Sequence, residues 1–279
     1  MNTIRLIILV DNNAQAGCSA EHGFALWLET ADKRILFDAA QNSNTLLGNA
    51  KALGIDLTRT DTLILSHGHY DHTGGIGFLL EKVPGLQVYF HPDIFSRRYA
   101  VSGENVRSIG ITPQNIRLLQ SLENEKRIHP GGLPVRLTDH VFISGEIPRI
   151  TPFESPGENF FLDATGREKD HLYDDISLYI NTAEGLLICT GCCHAGIVNT
   201  LTQIQMISGK QKIHTLLGGL HLHSAENDRI DRTIEEMKRM SVEQIIGCHC
   251  TGDGPLELLS HHFSCTQGFA GMELKFFLP

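Results

Sequence analysis

The chain lacks any apolar run of the ~20 residues that a membrane helix requires. Its N-terminal apolar stretch, residues 4–10, is short and meets Asp11. It therefore reads as a first β-strand, because a signal peptide would carry a longer apolar core and a small-residue cleavage site. Positive charge is in deficit: 23 Lys and Arg face 32 Asp and Glu, a net charge of −9. That excludes a broad surface for a phosphate backbone but not a local basic pocket, and no nucleic-acid partner is expected. A disulfide framework is missing too. The seven cysteines are odd in number, and six of them (Cys189, Cys192, Cys193, Cys248, Cys250 and Cys265) fall in the second half. This usage fits reduced thiols in a cytosol, so a soluble cytoplasmic protein without membrane association is expected. Tandem repeats and low-complexity tracts are also lacking. What is present is ordinary for a soluble enzyme: 41% hydrophobic and 20% charged residues in a 279-residue chain, enough for one domain with a sizeable core.

Patterning along the chain predicts alternating strands and helices. Segments 4–10, 23–29 and 34–38 are rich in Ile, Leu, Val and Phe, and the last two flank a turn at residues 30–33. Leu46, Leu47, Ala50 and Leu53 fall at helical spacing before Gly54. Residues 62–66 read as a short buried strand running straight into HGHYDHTGG, followed by a helix at about 75–83. In the second half, 176–180 and 186–190 read as a hairpin, and 213–217 and 244–246 as core strands, the latter the last of them. Ile197, Leu201 and Ile204 mark one helix, and Ile230, Ile234 and Met237 another. The expected organisation is two similar αβ units packed sheet to sheet in a single domain, 1–279. Residues 96–175 are the least regular part, and 144–175, with Pro148, Pro152, Pro156 and Gly157, reads as a lid-like insertion.

The strongest chemical signal is His67-Gly68-His69-Tyr70-Asp71-His72. Extended backbone puts residues i and i+2 on one side, so His67 and His69 can reach one ion. A turn into a helix at Asp71 brings Asp71 and His72 round toward a second. Imidazole and carboxylate donors suit zinc, iron or manganese. Chance surface histidines are the bland reading of a single His; four ligand-type residues in six positions after an apolar strand argue against it. For His91, His129, His140 and His214, each alone, a surface or satisfied polar role is the better reading. Cys189-x-x-Cys192 with Cys248-x-Cys250 is only half a zinc-thiolate pattern, and buried thiols acting as small hydrophobes are favoured over it.

SHGHYDHTGG resembles the H-x-H-x-D-H motif of the metallo-β-lactamase superfamily, and Ile35-Leu36-Phe37-Asp38 resembles the strand that precedes it there. More narrowly, the chain is similar to the 7,8-dihydropterin-6-methyl-4-(β-D-ribofuranosyl)aminobenzene-5′-phosphate synthase-like subgroup. That likeness is carried by motifs spread over residues 21–252: Glu21-His22-Gly23, Gly145-Glu146-Ile147-Pro148-Arg149, Asp174-Asp175-Ile176-Ser177-Leu178, Thr190-Gly191-Cys192-Cys193-His194-Ala195-Gly196, Gly218-Gly219-Leu220-His221-Leu222 and His249-Cys250-Thr251-Gly252. The resemblance implies an α/β fold, an αββα sandwich of two mixed β-sheets with helices outside. It also implies two divalent ions, zinc first, with His67, His69, Asp71, His72, His194 and His249 as ligands. Two departures stand out. The superfamily's P-G-H-T-type loop, which carries a third ligand of the first metal, is absent, and Glu146 either substitutes for it or only orders its loop. Where most members have Gly-Asp, with an Asp bridging both metals, this chain has Gly191-Cys192. Cys192 is then either a support behind the ligands or an occasional soft ligand.

The expected activity is metal-dependent hydrolysis of a small anionic phosphoester, ester or lactone, with Asp71 orienting the nucleophile and taking its proton. His221 would be a catalytic or substrate contact, or a ligand. Arg149 would be either an anion-binding fork or a salt-bridge residue of the lid surface. The subgroup implies instead a transferase joining a pterin-type diphosphate to a ribosylaminobenzene phosphate. A di-iron redox protein and a non-catalytic ligand sensor are the other classes; the lack of a flavin- or dinucleotide-binding appendage counts against the former. A small-molecule substrate is expected, and self-association is open.

Overall fold

A computed structural model of the chain describes residues 3–122, 125–157 and 159–279. The strands of the first half are β1 (Thr3–Val10), β2 (Ala25–Glu29), β3 (Arg34–Phe37), β4 (Thr62–Ile64), β5 (Gln87–Phe90), β6 (Tyr99–Ser102), β7 (Asn105–Ser108), β8 (Ile128–Pro130) and β9 (Val135–Arg136). Those of the second half are β10 (Val141–Ile143), β11 (Phe160–Phe161), β12 (Leu178–Asn181), β13 (Leu186–Thr190), β14 (Ile213–Gly218), β15 (Val242–Gly247), β16 (Ser264–Gln267) and β17 (Glu273–Phe277). The helices are α1 (Ser43–Ala52), α2 (Tyr70–Thr73), α3 (Ile76–Lys82), α4 (Pro113–Ser121), α5 (Ile197–Ser208), α6 (Asn227–Arg239) and α7 (Asp253–Ser260).

Two seven-stranded mixed sheets form, in the orders β17-β1-β2-β3-β4-β5-β8 and β16-β15-β14-β13-β12-β10-β9. Strand alternation decides which side chains face which layer. Ile4, Leu6 and Ile8 of β1 enter a central core between the sheets, whereas Ile7 and Leu9 enter an outer core with Leu46, Leu79 and Leu119 of α1, α3 and α4. On the second sheet Leu187 and Cys189 face the centre, and Leu186 and Ile188 face Leu201, Ile234 and Leu259 of α5, α6 and α7. Three apolar cores separating four layers are the αββα sandwich that the sequence predicts. Cys189 and Cys248 pack in the central core as small hydrophobes, and all seven thiols are free. Among the described residues no helix is long and apolar enough to cross a membrane.

The strand at 244–246 is present as β15 but does not end the sheets. β16 pairs parallel to it, and β17 returns across the molecule to pair antiparallel with β1, from Thr3↔Phe277 to Ile7↔Glu273. The irregular middle holds more order than its composition suggests. α4 is announced by Thr112, which caps the Asn115 N–H, and by Pro113 in the first turn. β6, β7 and β11 form a separate three-stranded sheet in the order β11-β6-β7. The lid-like stretch 144–175 includes residue 158, which lies outside the described residues. Glu154 of that stretch docks on α5, accepting the Val198 and Asn199 N–H groups at 2.8 Å each; a carboxylate there satisfies two donors that a helix N-terminus leaves open.

Candidate metal centre

The candidate side chains that β4, β13, β14 and β15 deliver sit just beyond the C-terminal ends of those strands, where open α/β sheets build their sites. β4 delivers His67 and His69, β13 delivers Cys192 and His194, β14 delivers His221, and β15 delivers His249 and Cys250. Several of these positions adopt left-handed backbone, uncommon for residues with a side chain: Asp38 (φ 63°), Cys193 (62°), His221 (48°) and His249 (45°). Such conformations cost of order 1–3 kcal/mol each and persist where the surroundings impose them. The turn after β4 also needs Gly68, since a Cβ there would run into the Ile94 carbonyl and the Arg98 guanidinium. Gly191 is needed for the same reason, because a Cβ would meet Ser66 and Asp38.

The donors converge as two groups that share one residue. His67, Cys192 and His194 place their ligand atoms within 4.8 Å of one another, and so do His72, Cys192 and His249. His69 joins the first group: its Nδ1 lies 3.0 Å from His67 Nε2, and its ring centroid lies 4.9 Å from that of His194. Asp71 joins the second, with Oδ2 3.3 Å from His249 Nε2 and 3.9 Å from His72 Nε2. Cys192 Sγ is 3.2 Å from His72 Nε2. Thus the thiol stands between the two groups, in the place where the sequence lacks the bridging carboxylate.

Supporting contacts fix the rings. Asp38, fully buried, accepts from Ser66 N and Ser66 Oγ at 2.7 Å each and contacts His72 Nδ1 at 2.7 Å, leaving Nε2 to face the site. Ser66 Oγ contacts His67 Nδ1 at 2.9 Å. Asn12 Oδ1 lies 3.0 Å from His249 Nδ1, and Asp11 accepts the His249 N–H at 2.7 Å. Carboxylate or amide partners behind a histidine set its tautomer and raise its donor strength.

The electrostatics divide the site. Burial, aided by neighbouring positive charge, holds His67, His69 and His194 well below the ordinary histidine pKa, so these rings stay neutral with lone pairs to give. Burial also opposes charge on His72, but Asp38 and Asp71 outweigh it and push the pKa up to about 9. Asp71 is likewise desolvated, yet His72, His22 and His249 hold it well below the usual carboxylate range. Among the described residues, His69 Nε2 and both ring nitrogens of His194 are buried without any hydrogen-bond partner. Unpaired buried donors or acceptors cost about 1–3 kcal/mol each. Orphaned imidazole nitrogens beside a thiol and a carboxylate are what a divalent ion of the zinc class would satisfy, so the residues fit a metal centre.

A cavity of about 240 Å³ opens over this floor, lined by His69, Asp71, Cys192, His194, His221 and His249 together with Tyr70, Arg107 and Phe160. His221 stands at its wall, its ring 4.3 Å from that of His194. Two sequence candidates lie elsewhere. Glu146 is turned outward with Oε2 3.4 Å from His91 Nε2, so the structure does not bring it to the cluster. Arg149 donates to the Ile147 and Leu172 carbonyls and lies 5.1 Å over the ring of Tyr173, so its guanidinium ties Ile147 to Leu172 and Tyr173 instead of facing the cavity. Other functional positions escaped the sequence reading of ligands. His22 Nε2 is 3.2 Å from Asp71 Oδ2, and His22, Asp71 and His249 form a third donor group at the solvent side. Asp38 could have been found as a polar residue ending a buried strand; for Phe160 and Arg107 no local signal existed.

Comparison with known proteins shows the family of the chain. Residues 19–159 match the family model described as the metallo-beta-lactamase superfamily. The chain is 34% identical over 242 residues to the 7,8-dihydropterin-6-methyl-4-(beta-D-ribofuranosyl)-aminobenzene-5′-phosphate synthase of Methanocaldococcus jannaschii, covering 84% of this chain and 82% of that protein. A second protein of that organism, MJ0448, is 34% identical over 265 residues, 95% of this chain and 97% of its own length. The crystal structure of Tm1679, described as a metal-dependent hydrolase of the beta-lactamase superfamily, superposes with a TM-score of 0.81 at 27% identity, over 97% of this chain and 98% of that one. Fold and sequence agree, and the chain belongs to the metallo-β-lactamase superfamily.

Proposed function

We propose that the chain is a metal-dependent hydrolase of small anionic phosphoesters, esters or lactones. The observation that supports this most directly is the pair of donor groups sharing Cys192 on the floor of one cavity. His67, His69 and His194 would hold one ion and Asp71, His72 and His249 the other, with Cys192 as the donor common to both. Zinc suits this mixture of nitrogen, oxygen and sulfur best, ahead of iron and manganese. When bound, two such cations would lower the pKa of a water and polarise the group it attacks. The chain's own residues do the rest. Asp71, ionised at neutral pH, is a fixed acceptor that orients the attacking water. His221 faces the substrate from the cavity wall, and its Nδ1 has no partner among the described residues. Phe160 closes over the histidines, its ring 5.5 Å from His69 and 5.4 Å from His194, and keeps bulk water out. The cavity volume suits a small molecule, and seven free thiols support a reducing, cytoplasmic setting.

One observation favours a second reading: the relative with 34% identity over 84% of this chain is a synthase. A transferase would use the same floor, since both chemistries need an electrophile activated beside an anionic leaving group. Elemental analysis of the purified protein, paired with a screen of generic phosphodiesters and lactones, separates the readings. About two zinc or manganese ions per chain with turnover is expected. Metal without hydrolytic turnover moves the assignment to the transferase or to a non-catalytic ligand sensor, iron without it to a redox protein, and a chain that binds no metal overturns the proposal.

A further inference from the structure

The three-stranded sheet β11-β6-β7 lies outside the two large sheets and covers the cavity. Its pairing register places Phe160 opposite Ala100 and Ala100 opposite Arg107. Directly opposed residues of antiparallel strands project on the same face. Phe160, Ala100 and Arg107 therefore form one row across the sheet, and all three line the cavity above the metal-ligand candidates. The order is aromatic, small, cationic. With strands ~4.8 Å apart, the two outer positions stand roughly 10 Å from each other, and the alanine leaves a notch between them.

Each end of the row is prepared for a ligand. Phe160 packs edgewise against His194 and tilted against His221, its ring 5.8 Å from the latter. Arg107 is exposed at the mouth, and its charge acts on the neighbouring Tyr70 hydroxyl. Tyr70 opens α2 and its N–H is held by the Ile109 carbonyl at 3.0 Å, so the chain just beyond Arg107 is tied to the same turn that carries Asp71. Among the described residues lining the cavity, Arg107 is the sole Lys or Arg. In a chain with net charge −9, that puts a permanent positive charge where an anion would enter.

We propose that the Phe160–Ala100–Arg107 row is a recognition strip for a small molecule carrying a flat ring and an anionic group. The ring lies in the notch over Ala100 against Phe160, and the anion takes the planar fork of Arg107. The proposal rests on the hydrolase reading for the chemistry that follows binding but not for the binding itself. Phosphoryl and carboxylate groups share the chemistry that Arg107 would read.

Isothermal titration of the metal-loaded full chain with phenylphosphonate, benzoate, inorganic phosphate and benzyl alcohol tests it. Phenylphosphonate or benzoate is expected to bind about tenfold tighter than inorganic phosphate or the neutral alcohol. The ranking of the two aromatic anions tells phosphoryl from carboxylate. Arg107→Ala is expected to cost about tenfold for the aromatic anions and nothing for benzyl alcohol, with Arg107→Lys recovering part of the loss. Phe160→Leu is expected to cost several-fold for every ring-bearing probe and little for inorganic phosphate. Arg107 is exposed, so its substitution leaves the cores intact, and circular dichroism checks this. Unchanged aromatic-anion affinity in Arg107→Ala overturns the strip. Pairing the titration with a turnover assay before and after chelation separates the two proposals. Arg107-dependent binding by a metal-loaded chain that turns over none of the generic esters keeps the strip and removes the hydrolase reading. Metal-dependent turnover of generic esters together with unchanged aromatic-anion affinity in Arg107→Ala does the reverse.

Discussion

Arg98 is the residue whose loss most directly tests how the histidine loop is held. Its side chain is 1% exposed, donating from Nε to Asp170 Oδ2 and from Nη1 to Asp174 Oδ2, both at 2.8 Å. Asp174 Oδ2 also accepts the Gly68 N–H at 2.7 Å, so the ion triad reaches into the turn between His67 and His69. The partner carboxylates are 5% and 0% exposed, and Arg98→Ala strands both without a cation. Removing one member of a buried pair costs about 3–5 kcal/mol, because the charge left behind is neither solvated nor paired. At roughly 2 °C per kcal/mol for a chain of this size, the melting temperature should fall by about 6–10 °C. Urea denaturation of the metal-free protein reads the free energy, and calorimetry reads the temperature. Arg98→Ala combined with Asp170→Asn should recover part of the loss, since one orphaned charge is gone. A loss below about 1 kcal/mol in the single variant would refute the argument, because it would mean the carboxylates find water or protons at little cost.

Three further outcomes follow from the site. His69→Ala should remove metal and activity while circular dichroism stays native, and stoichiometric metal in that variant would sink the ligand assignment. Cys192→Ala should lower metal occupancy or affinity, and a cobalt-loaded sample should lose its near-ultraviolet thiolate charge-transfer absorption; a spectrum unchanged from the parent would place the thiol outside the coordination sphere. Asp175 supplies the pH dependence. Burial pushes its pKa up to about 7, against a hydrogen bond from Ala195 N, so between pH ~4 and 7 the folded state binds a proton that the unfolded state has released. Its contribution to stability is thus full at low pH and is lost as pH rises through about 7, by up to ~4 kcal/mol in all. Asp175→Asn, compared with the parent by urea titration from pH 4 to 8, should flatten that slope; parallel curves would refute it.

Much of this was legible in the sequence because it was local. The run from His67 to His72 follows a strand whose apolar alternation sets the direction of both histidines, and His194 and His249 also follow apolar strands. What was illegible depended on pairing across long sequence distances. β17 is a half-exposed ELKFF whose partner, β1, lies some 270 residues earlier, and nothing in its own pattern names that partner. β7 is exposed at every position, so Arg107 has no periodicity to mark it; only its register with Ala100 brings it over the donor cluster. His22 reaches Asp71 because the backbone beside it is tied across the loops, Phe24 N to Asp71 O at 3.3 Å. Glu146 and Arg149 failed to reach the site for a related reason. Their loop is fixed by its own carbonyls and by His91, and proximity in sequence to a motif says nothing about the face on which a side chain emerges.

The thiol between the two donor groups bears on which ions the chain selects. Manganese and magnesium favour oxygen donors, whereas thiolate and imidazole favour zinc and softer ions. A bridging carboxylate at this place would suit a hard cation; Cys192 does not, and the remaining set of five histidines and one aspartate shifts preference the same way. Competition follows as a direct test. Metal-free protein equilibrated with equal zinc and manganese should take up zinc at both positions, and Cys192→Asp should admit more manganese than the parent. If the parent already prefers manganese, the sulfur is not a donor, and the site is read by its histidines and Asp71 alone.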